Sequence, residues 1–270
     1  PPEVAERHAT IRDTRFTRWR DALATQELPL AHRAGADDLA VLPYTSGTTG
    51  RPKGCMHTHG TVQAANRAAV AWRSQTADAV FLGIAPMFHA LGMQNGMHLP
   101  LMLGASIVML PRWDRDAALA LIERHRVTSW AAPPAMLIDF FANPAVTPEK
   151  IRSLTLVNGG SAPMPPAVAD AMKTRFGITY NEGYGMTETA SFLFANPLLR
   201  PKLGSLGVPG PGVDARIIDP VTLQSLPPGE VGEIVAHAAQ LTTGYWKQPQ
   251  ATAEAFVEIE GRRFLRTGDL

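Results

Sequence analysis

Thiol chemistry is nearly absent: Cys55 is the only cysteine in 270 residues. That excludes an internal disulfide and a cysteine-built zinc site, and it favours a reducing, cytoplasmic setting. Charge of one sign is lacking as well, since 25 Lys and Arg stand against 24 Asp and Glu. No footprint for nucleic acid or for an anionic membrane surface emerges from such a balance, which leaves a small molecule as the expected partner. Missing too is any apolar run near the roughly 18 residues that a membrane span requires. The first twenty residues are charged and hold no apolar signal-peptide core. Internal repeats and low-complexity tracts are not found. The chain has no initiator methionine and stops at Arg-Thr-Gly-Asp-Leu, so both ends are expected to be cut from something longer.

What is present suffices for a large core: 45% of the residues are hydrophobic. Glycine and proline, 23 each, exceed their usual shares of about 7% and about 5%, so backbone demands shape many loops. Residues 1–36 are charged and Ala-rich with weak helical periodicity, and read as the remnant of a preceding region. Over 37–200 strand alternates with helix. Leu39 to Tyr44, Ala79 to Ala85, Ala105 to Leu110, Val127 to Ala132 and Leu154 to Val157 read as short apolar strands. Thr61 to Trp72, Arg115 to His125 and Pro166 to Phe176 read as helices, with Asp114 as an N-cap and Gly177 as a stop. This order predicts an α/β fold, a mostly parallel sheet flanked by helices, with ligands at the carboxyl ends of the strands. After about Pro201 the pattern changes. Val213 to Ile218, Gly232 to Ala236 and Arg263 to Arg266 read as strands between Pro-Gly turns, with one short helix around Gln250 to Phe256. Residues 201–270 are therefore expected to form a small antiparallel or barrel-like β unit.

The densest signal is the loop Tyr44-Thr-Ser-Gly-Thr-Thr-Gly-Arg-Pro-Lys-Gly54. Its glycines let a ligand approach the backbone, Thr45, Ser46, Thr48 and Thr49 add hydroxyl donors, and Lys53 adds a positive charge. Phosphate oxygens suit that environment; a Lys-to-phosphate contact near 4 Å is worth about 4 kcal/mol at an effective dielectric near 20. The Walker loop does not fit, because Pro52 stands where its second glycine belongs and Gly54 where Ser or Thr follows the lysine.

This loop resembles the phosphate-binding motif of the adenylate-forming superfamily, which includes acyl-CoA synthetases, firefly luciferase and the adenylation domains of nonribosomal peptide synthetases. Further segments follow in the family's order. Gly159-Gly-Ser-Ala-Pro163 resembles its adenine-side loop, Asn181-Glu-Gly-Tyr-Gly-Met-Thr-Glu-Thr189 its second nucleotide motif, and Arg266-Thr-Gly-Asp269 its ribose-binding motif. Tyr245 and Trp246 fall within Gly244-Tyr-Trp-Lys-Gln-Pro249, and the likeness runs from about residue 37 to the end.

The resemblance implies a set of site residues. Thr45, Ser46, Gly47, Thr48, Thr49, Gly50 and Lys53 would hold phosphates. Gly159, Gly160, Ser161, Ala162 and Glu182 would bound the adenine edge, and Tyr184, between Gly183 and Gly185, would stack on its face. Thr187 would donate to the α-phosphate, Glu188 would ligate Mg2+, and Asp269 would accept from the ribose hydroxyls. His89, in Pro86-Met-Phe-His-Ala-Leu-Gly92, would border the carboxylate of the acyl substrate. By contrast, His57 and His59, spaced as same-face strand residues, lack a third metal ligand nearby and read as structural. Cys55 reads as a small buried apolar residue. The Met-rich run Met87 to Met109 and the segment Trp130 to Phe141 read mostly as core, with some of their residues expected to line an acyl pocket.

The implied reaction is attack of a carboxylate on the α-phosphate of ATP, giving an acyl adenylate and pyrophosphate, after which the thiol of CoA displaces AMP. The segments look most like those of a ligase for a fatty or other apolar acid. A carrier protein as acceptor, and a noncatalytic nucleotide-binding module, are the alternatives; a homo-oligomer is left open. Full-length members carry a further C-terminal domain with a catalytic lysine, which Lys53 is not. The fragment is expected to bind ATP or AMP with little turnover. One departure stands out: Ala238-Ala239 replaces the family's Gly-Pro pair.

Overall fold

The computed structural model describes residues 19–24, 31, 33–45 and 50–270. The chain divides into two compact units, 1–34 and 35–270. The first contains helix α1 (Trp19–Ala24); among the described residues, the second holds the other elements.

In the second unit, β1 (Leu39–Val41) pairs antiparallel with β2 (His57–Thr58), and the bridge Tyr44 to Gly54 closes the intervening segment. Helix α2 (His59–Arg73) begins two residues before the apolar pattern suggests, because the Thr58 side chain caps it by accepting from Thr61 N at 3.2 Å. The two histidines lead into this helix rather than sharing one strand face: His57 lies in β2 and His59 opens α2.

The main sheet is assembled from β3 (Val80–Gly83), β4 (Ser106–Met109), β5 (Ser129–Ala131), β6 (Leu156–Gly159), β7 (Tyr180–Tyr184), β8 (Phe194–Ala195) and β9 (Val208–Pro209), in the order β4-β3-β5-β6-β7-β8-β9. The pairs from β4 to β7 are parallel, with Trp130 opposite Val157 and Gly159 opposite Glu182; β8 and β9 join antiparallel. Between β3 and β4 run α3 (Ala90–Met93), a π-helical turn (Gln94–His98) and α4 (Leu99–Leu103). Helices α5 (Arg115–His125), α6 (Pro134–Phe141) and α7 (Pro166–Phe176) complete the layers. The expected ends of α5 and α7 match these spans, since the Asp114 carboxylate accepts from Asp116 N and Ala117 N, both at 2.9 Å, and Gly177 closes α7 at φ 70°.

Successive strand residues face opposite sides of a sheet, and β3 shows it. Leu82 belongs to the large cluster with Ile122, Leu137, Phe140 and Met172 from α5, α6 and α7, whereas its neighbour Phe81 packs with Ala69 of α2 and Leu99 of α4. Helices thus cover both faces, as a parallel sheet requires. The strand expected from Leu154 starts instead at Leu156, because Leu154 N is committed to a turn with Ile151 O at 2.9 Å.

The small sheet is antiparallel, as expected. It contains β10 (Asp214–Ile218), β11 (Glu233–His237), β12 (Phe256–Ile259) and β13 (Arg262–Arg266) in the order β10-β11-β13-β12, around Ile218, Val235 and Phe264. Helix α8 (Pro249–Glu254) precedes β12 and stops short of the expected Phe256, which the strand claims. Among the described residues, no helix is long and apolar enough to cross a membrane.

Candidate active site

The carboxyl ends of β6 and β7 open on a cleft of about 720 Å³. It takes in Thr45, Gly50 and Lys53 from the loop after β1, Gly159 at the end of β6 with Gly160 and Ser161 beyond it, Gly183 to Glu188 from β7 and the turn that follows, Asp269 after β13, and His89 before α3. Segments separated by more than two hundred residues thus share one cavity. Ser46, Gly47, Thr48 and Thr49 lie outside the described residues. Ala162 and Glu182 are not among the residues lining the cleft. Glu182 is buried, with Oε1 accepting from Met164 N at 3.3 Å and Oε2 lacking a partner.

The neck of the first loop is tied twice: Thr45 N donates to Lys53 O at 3.0 Å, and Lys53 N donates to Thr45 Oγ1 at 3.1 Å. The strand leaving it is stitched to a distant segment, with Met56 N donating to Gly244 O at 2.9 Å and Trp246 N to Gly54 O at 2.8 Å. Tyr245 is thereby brought under the loop, its ring centroid 4.8 Å from Lys53 Nζ.

Glu188 sits on a 3-10 turn (Thr187–Thr189) that is held from three directions. Its Oε1 accepts from the Tyr245 hydroxyl at 2.7 Å, its carbonyl accepts from Thr242 N at 2.7 Å, and the neighbouring Thr187 carbonyl accepts from His57 Nε2 at 2.8 Å. That last contact fixes the proton on Nε2, while burial pushes the imidazole below its ordinary pKa; His57 is a neutral donor under the turn. Burial and the Glu188 charge drive the Cys55 thiol far above its usual range. A thiol held protonated is a poor nucleophile, in keeping with the structural reading of Cys55.

Backbone geometry leaves the same turn little freedom. Ala190 and Ser191 both adopt left-handed conformations, at φ 49° and 80°, and Ser191 O presses so close to Gly185 that a Cβ there would stand 2.0 Å away. On the other side of the cleft the Tyr184 hydroxyl donates to Asp269 Oδ2, joining two residues that the motifs singled out separately. Burial, reinforced by this bond, raises the Tyr184 hydroxyl well above the ordinary tyrosine range. Asp269 is positioned in turn through β11 and β13: Arg266 Nε donates to Glu233 Oε2 at 3.0 Å, and Gly268 N donates to Glu233 Oε1 at 3.1 Å.

Several lining residues were not anticipated as functional. Glu233 stands inside an apolar strand and Arg266 inside a motif read for its aspartate. Asn158, whose buried Oδ1 lacks a partner, follows the run Leu154 to Val157 that reads as an apolar strand. Arg73 carries no sequence signal at all, because a basic residue in the last helical turn is ordinary. No group of three or more His, Cys, Asp or Glu among the described residues is placed to hold a metal. Glu188 therefore offers one carboxylate, the number that suits a cation arriving already bound to phosphate oxygens. The Thr45 hydroxyl and Lys53, the small backbone loop after β6 beside the orphaned Asn158 acceptor, and the Asp269 carboxylate are groups that suit the phosphates, base and ribose of a mononucleotide.

A family model described as AMP-binding enzyme matches residues 3–246. The chain belongs to that family. Among AMP-binding enzymes it is 34% identical over 236 residues to a long-chain-fatty-acid–CoA ligase of Bacillus subtilis, covering 86% of this chain and 41% of that protein. It is 36% identical over 257 residues to a feruloyl-CoA synthase of an Amycolatopsis species, covering 94% and 52%. The crystal structure of ATP-bound MatB from Rhodopseudomonas palustris superposes with a TM-score of 0.81 at 34% identity, over 87% of this chain and 45% of that one. The chain thus spans about half the length of the curated relatives it matches.

Proposed function

We propose that this chain is the nucleotide- and acyl-binding part of an AMP-forming acid–thiol ligase, which activates a carboxylic acid with ATP and passes the acyl group to CoA. The observation that carries the reading is the convergence of Thr45, Lys53, Tyr184, Thr187, Glu188 and Asp269 on one cleft. Relatives that are CoA ligases for fatty and ferulic acids support it. The carboxylic acid has an apolar body, in keeping with Leu91, Phe192 and Phe194 on the cleft wall. A cytoplasmic setting agrees with the single, buried thiol.

In this reading the phosphates lie across the tied loop, where Thr45 donates hydrogen bonds and Lys53 neutralises charge. Lys53 is already oriented by the Tyr245 ring. Tyr184 bounds the nucleoside, and Asp269 accepts from ribose hydroxyls on the side of its carboxylate that Tyr184 leaves open. Asn158 Oδ1, buried and unpartnered, accepts a hydrogen bond from the base. Glu188 would hold Mg2+, which supplies charge neutralisation at the phosphate oxygens when bound. Thr187, pinned through its carbonyl by His57, presents its hydroxyl toward the α-phosphate, and His89 borders the attacking carboxylate. Positioning and fixed donors then carry most of the rate, with no enzyme nucleophile required.

The test is pyrophosphate release by the full-length natural protein across a panel of carboxylic acids, with and without CoA. Release that depends on both ATP and one class of acid, with CoA thioester as the final product, is expected. Failure with every acid, alongside intact ATP binding, would leave a nucleotide-binding module without chemistry. Transfer to a carrier protein but not to CoA would replace the acceptor.

A further inference from the structure

One of the positive charges lining the cleft belongs to Arg73, the last residue of α2. Its guanidinium donates to Asn95 Oδ1. A guanidinium has five N–H donors, and no carboxylate among the described residues stands within ion-pair distance of this one. The residue is half-buried, and desolvation of the guanidinium pushes its pKa down from 12.5 to about 10. A charge held in such surroundings without a counter-ion is costly. The polar neighbours in the small adjoining cavity, Asn66, Gln94 and Ser191, are all neutral. Gln94 is already engaged, Nε2 donating to Ala190 O at 3.1 Å and Oε1 facing His98 Nδ1 at 2.8 Å.

Arg73 is also held in place. Asn95 is buried, and its Nδ2 donates to Leu91 O at 3.0 Å, which turns Oδ1 toward the arginine. Leu91 N in turn donates to His89 Nδ1 at 3.2 Å. Hydrogen bonds therefore connect His89 and Leu91, which line the cleft, through Asn95 in the adjoining cavity to Arg73, which lines both, over one to two helical turns, or roughly 5–10 Å. In the ligase reading His89 stands at the acyl end of the cleft, and the nucleotide phosphates already have Lys53 and the tied loop.

We infer, resting on that ligase reading, that Arg73, braced by Asn95, is a specificity-determining residue that reads a second carboxylate on the acid substrate, at the end remote from the carboxylate that reacts. The favoured substrates are then short dicarboxylic acids whose apolar body spans the wall between His89 and Arg73. The planar fork supplies paired donors to a carboxylate, and the substrate supplies the counter-charge that the protein omits.

The experiment compares dicarboxylic acids with monocarboxylic acids of matched chain length in pyrophosphate release by the full-length protein, together with ATP affinity. Wild type is expected to favour a dicarboxylic acid by at least about tenfold in kcat/KM. Arg73→Leu should erase that preference with ATP affinity unchanged, and Arg73→Lys should keep part of it. Equal use of monocarboxylic acids by wild type overturns the inference without any variant, and leaves the ligase reading standing. So does an Arg73→Leu protein that loses ATP affinity while keeping the dicarboxylate preference, which would assign the arginine to phosphate. Pyrophosphate release with no acid of either kind removes both readings together.

Discussion

Where the loops at the carboxyl ends of the seven-stranded sheet narrow the cleft, closely packed backbone does much of it. A Cβ on Gly185 would meet Ser191 O at 2.0 Å, and one on Gly159 would meet Ala132 O at 2.1 Å. The four-stranded sheet brings charged side chains instead, Glu233 and Arg266 bracing the segment that presents Asp269. The first kind of wall is shaped by packing, which tolerates almost no added volume and is indifferent to salt. The second depends on ion pairs and hydrogen bonds, which yield gradually and respond to pH and ionic strength. One side of the site is cast and the other is tuned.

The sharpest way to break this contrast is Gly185→Ala. Overpacking against backbone should cost about 3 kcal/mol, and ATP affinity should fall by about a hundredfold, as read by urea unfolding and ligand titration. An alanine variant with wild-type affinity would show that the cast side is pliable. Glu233→Gln comes next. Glu233 is 5% exposed and its partner Arg266 32%, so the loss is expected near 1–2 kcal/mol. It should shrink as salt is raised, whereas the Gly185→Ala loss should not.

His57 lies between the two regimes, since it supports the Thr187 turn through one hydrogen bond. His57→Leu should cost about 1 kcal/mol in stability and lower kcat more than ATP affinity; an unchanged kcat would reduce it to packing. Burial depresses the pKa values of His57 and His98 in the folded state. The unfolded chain therefore binds more protons below about pH 6.5, and stability should be lost as pH falls through that region. Denaturant titrations on either side of it, with and without His57→Leu, measure the share due to His57. The smallest effect is expected at Glu260, exposed beside Arg216, where Glu260→Gln should leave unfolding within experimental error.

Elements whose ends are marked by local chemistry could be read from sequence. Asp114 and Gly177 announce helix boundaries through caps and backbone conformation, and both helices fall on the expected residues. Helix α6 gave no such notice. Pro134 to Phe141 is nearly all apolar, with Phe140 and Leu137 fully buried, so no polar face displays the helical period. Strand β7 escaped for the opposite reason: Tyr-Asn-Glu-Gly-Tyr is too polar to read as a buried strand, because its end serves the cleft. In the site, residues carried by contiguous motifs were legible, and most that the structure describes do line the cavity. Glu182 shows the limit, since alternation along β7 does not tell a cleft-facing carboxylate from one turned to the Met164 amide. Arg73 and Asn95 are 22 positions apart, and only folding makes them neighbours.

The π-helical turn at Gln94–His98 has an evolutionary corollary. Such a turn holds one residue more than regular α-helical winding needs, and removing that residue would restore the winding while re-aiming chiefly the side chains inside the turn. Asn95 would leave Arg73, and the arginine would lose its brace. If Arg73 reads the acid as proposed, a three-nucleotide deletion here would change which acids are accepted and leave the residues assigned to the nucleotide as they were.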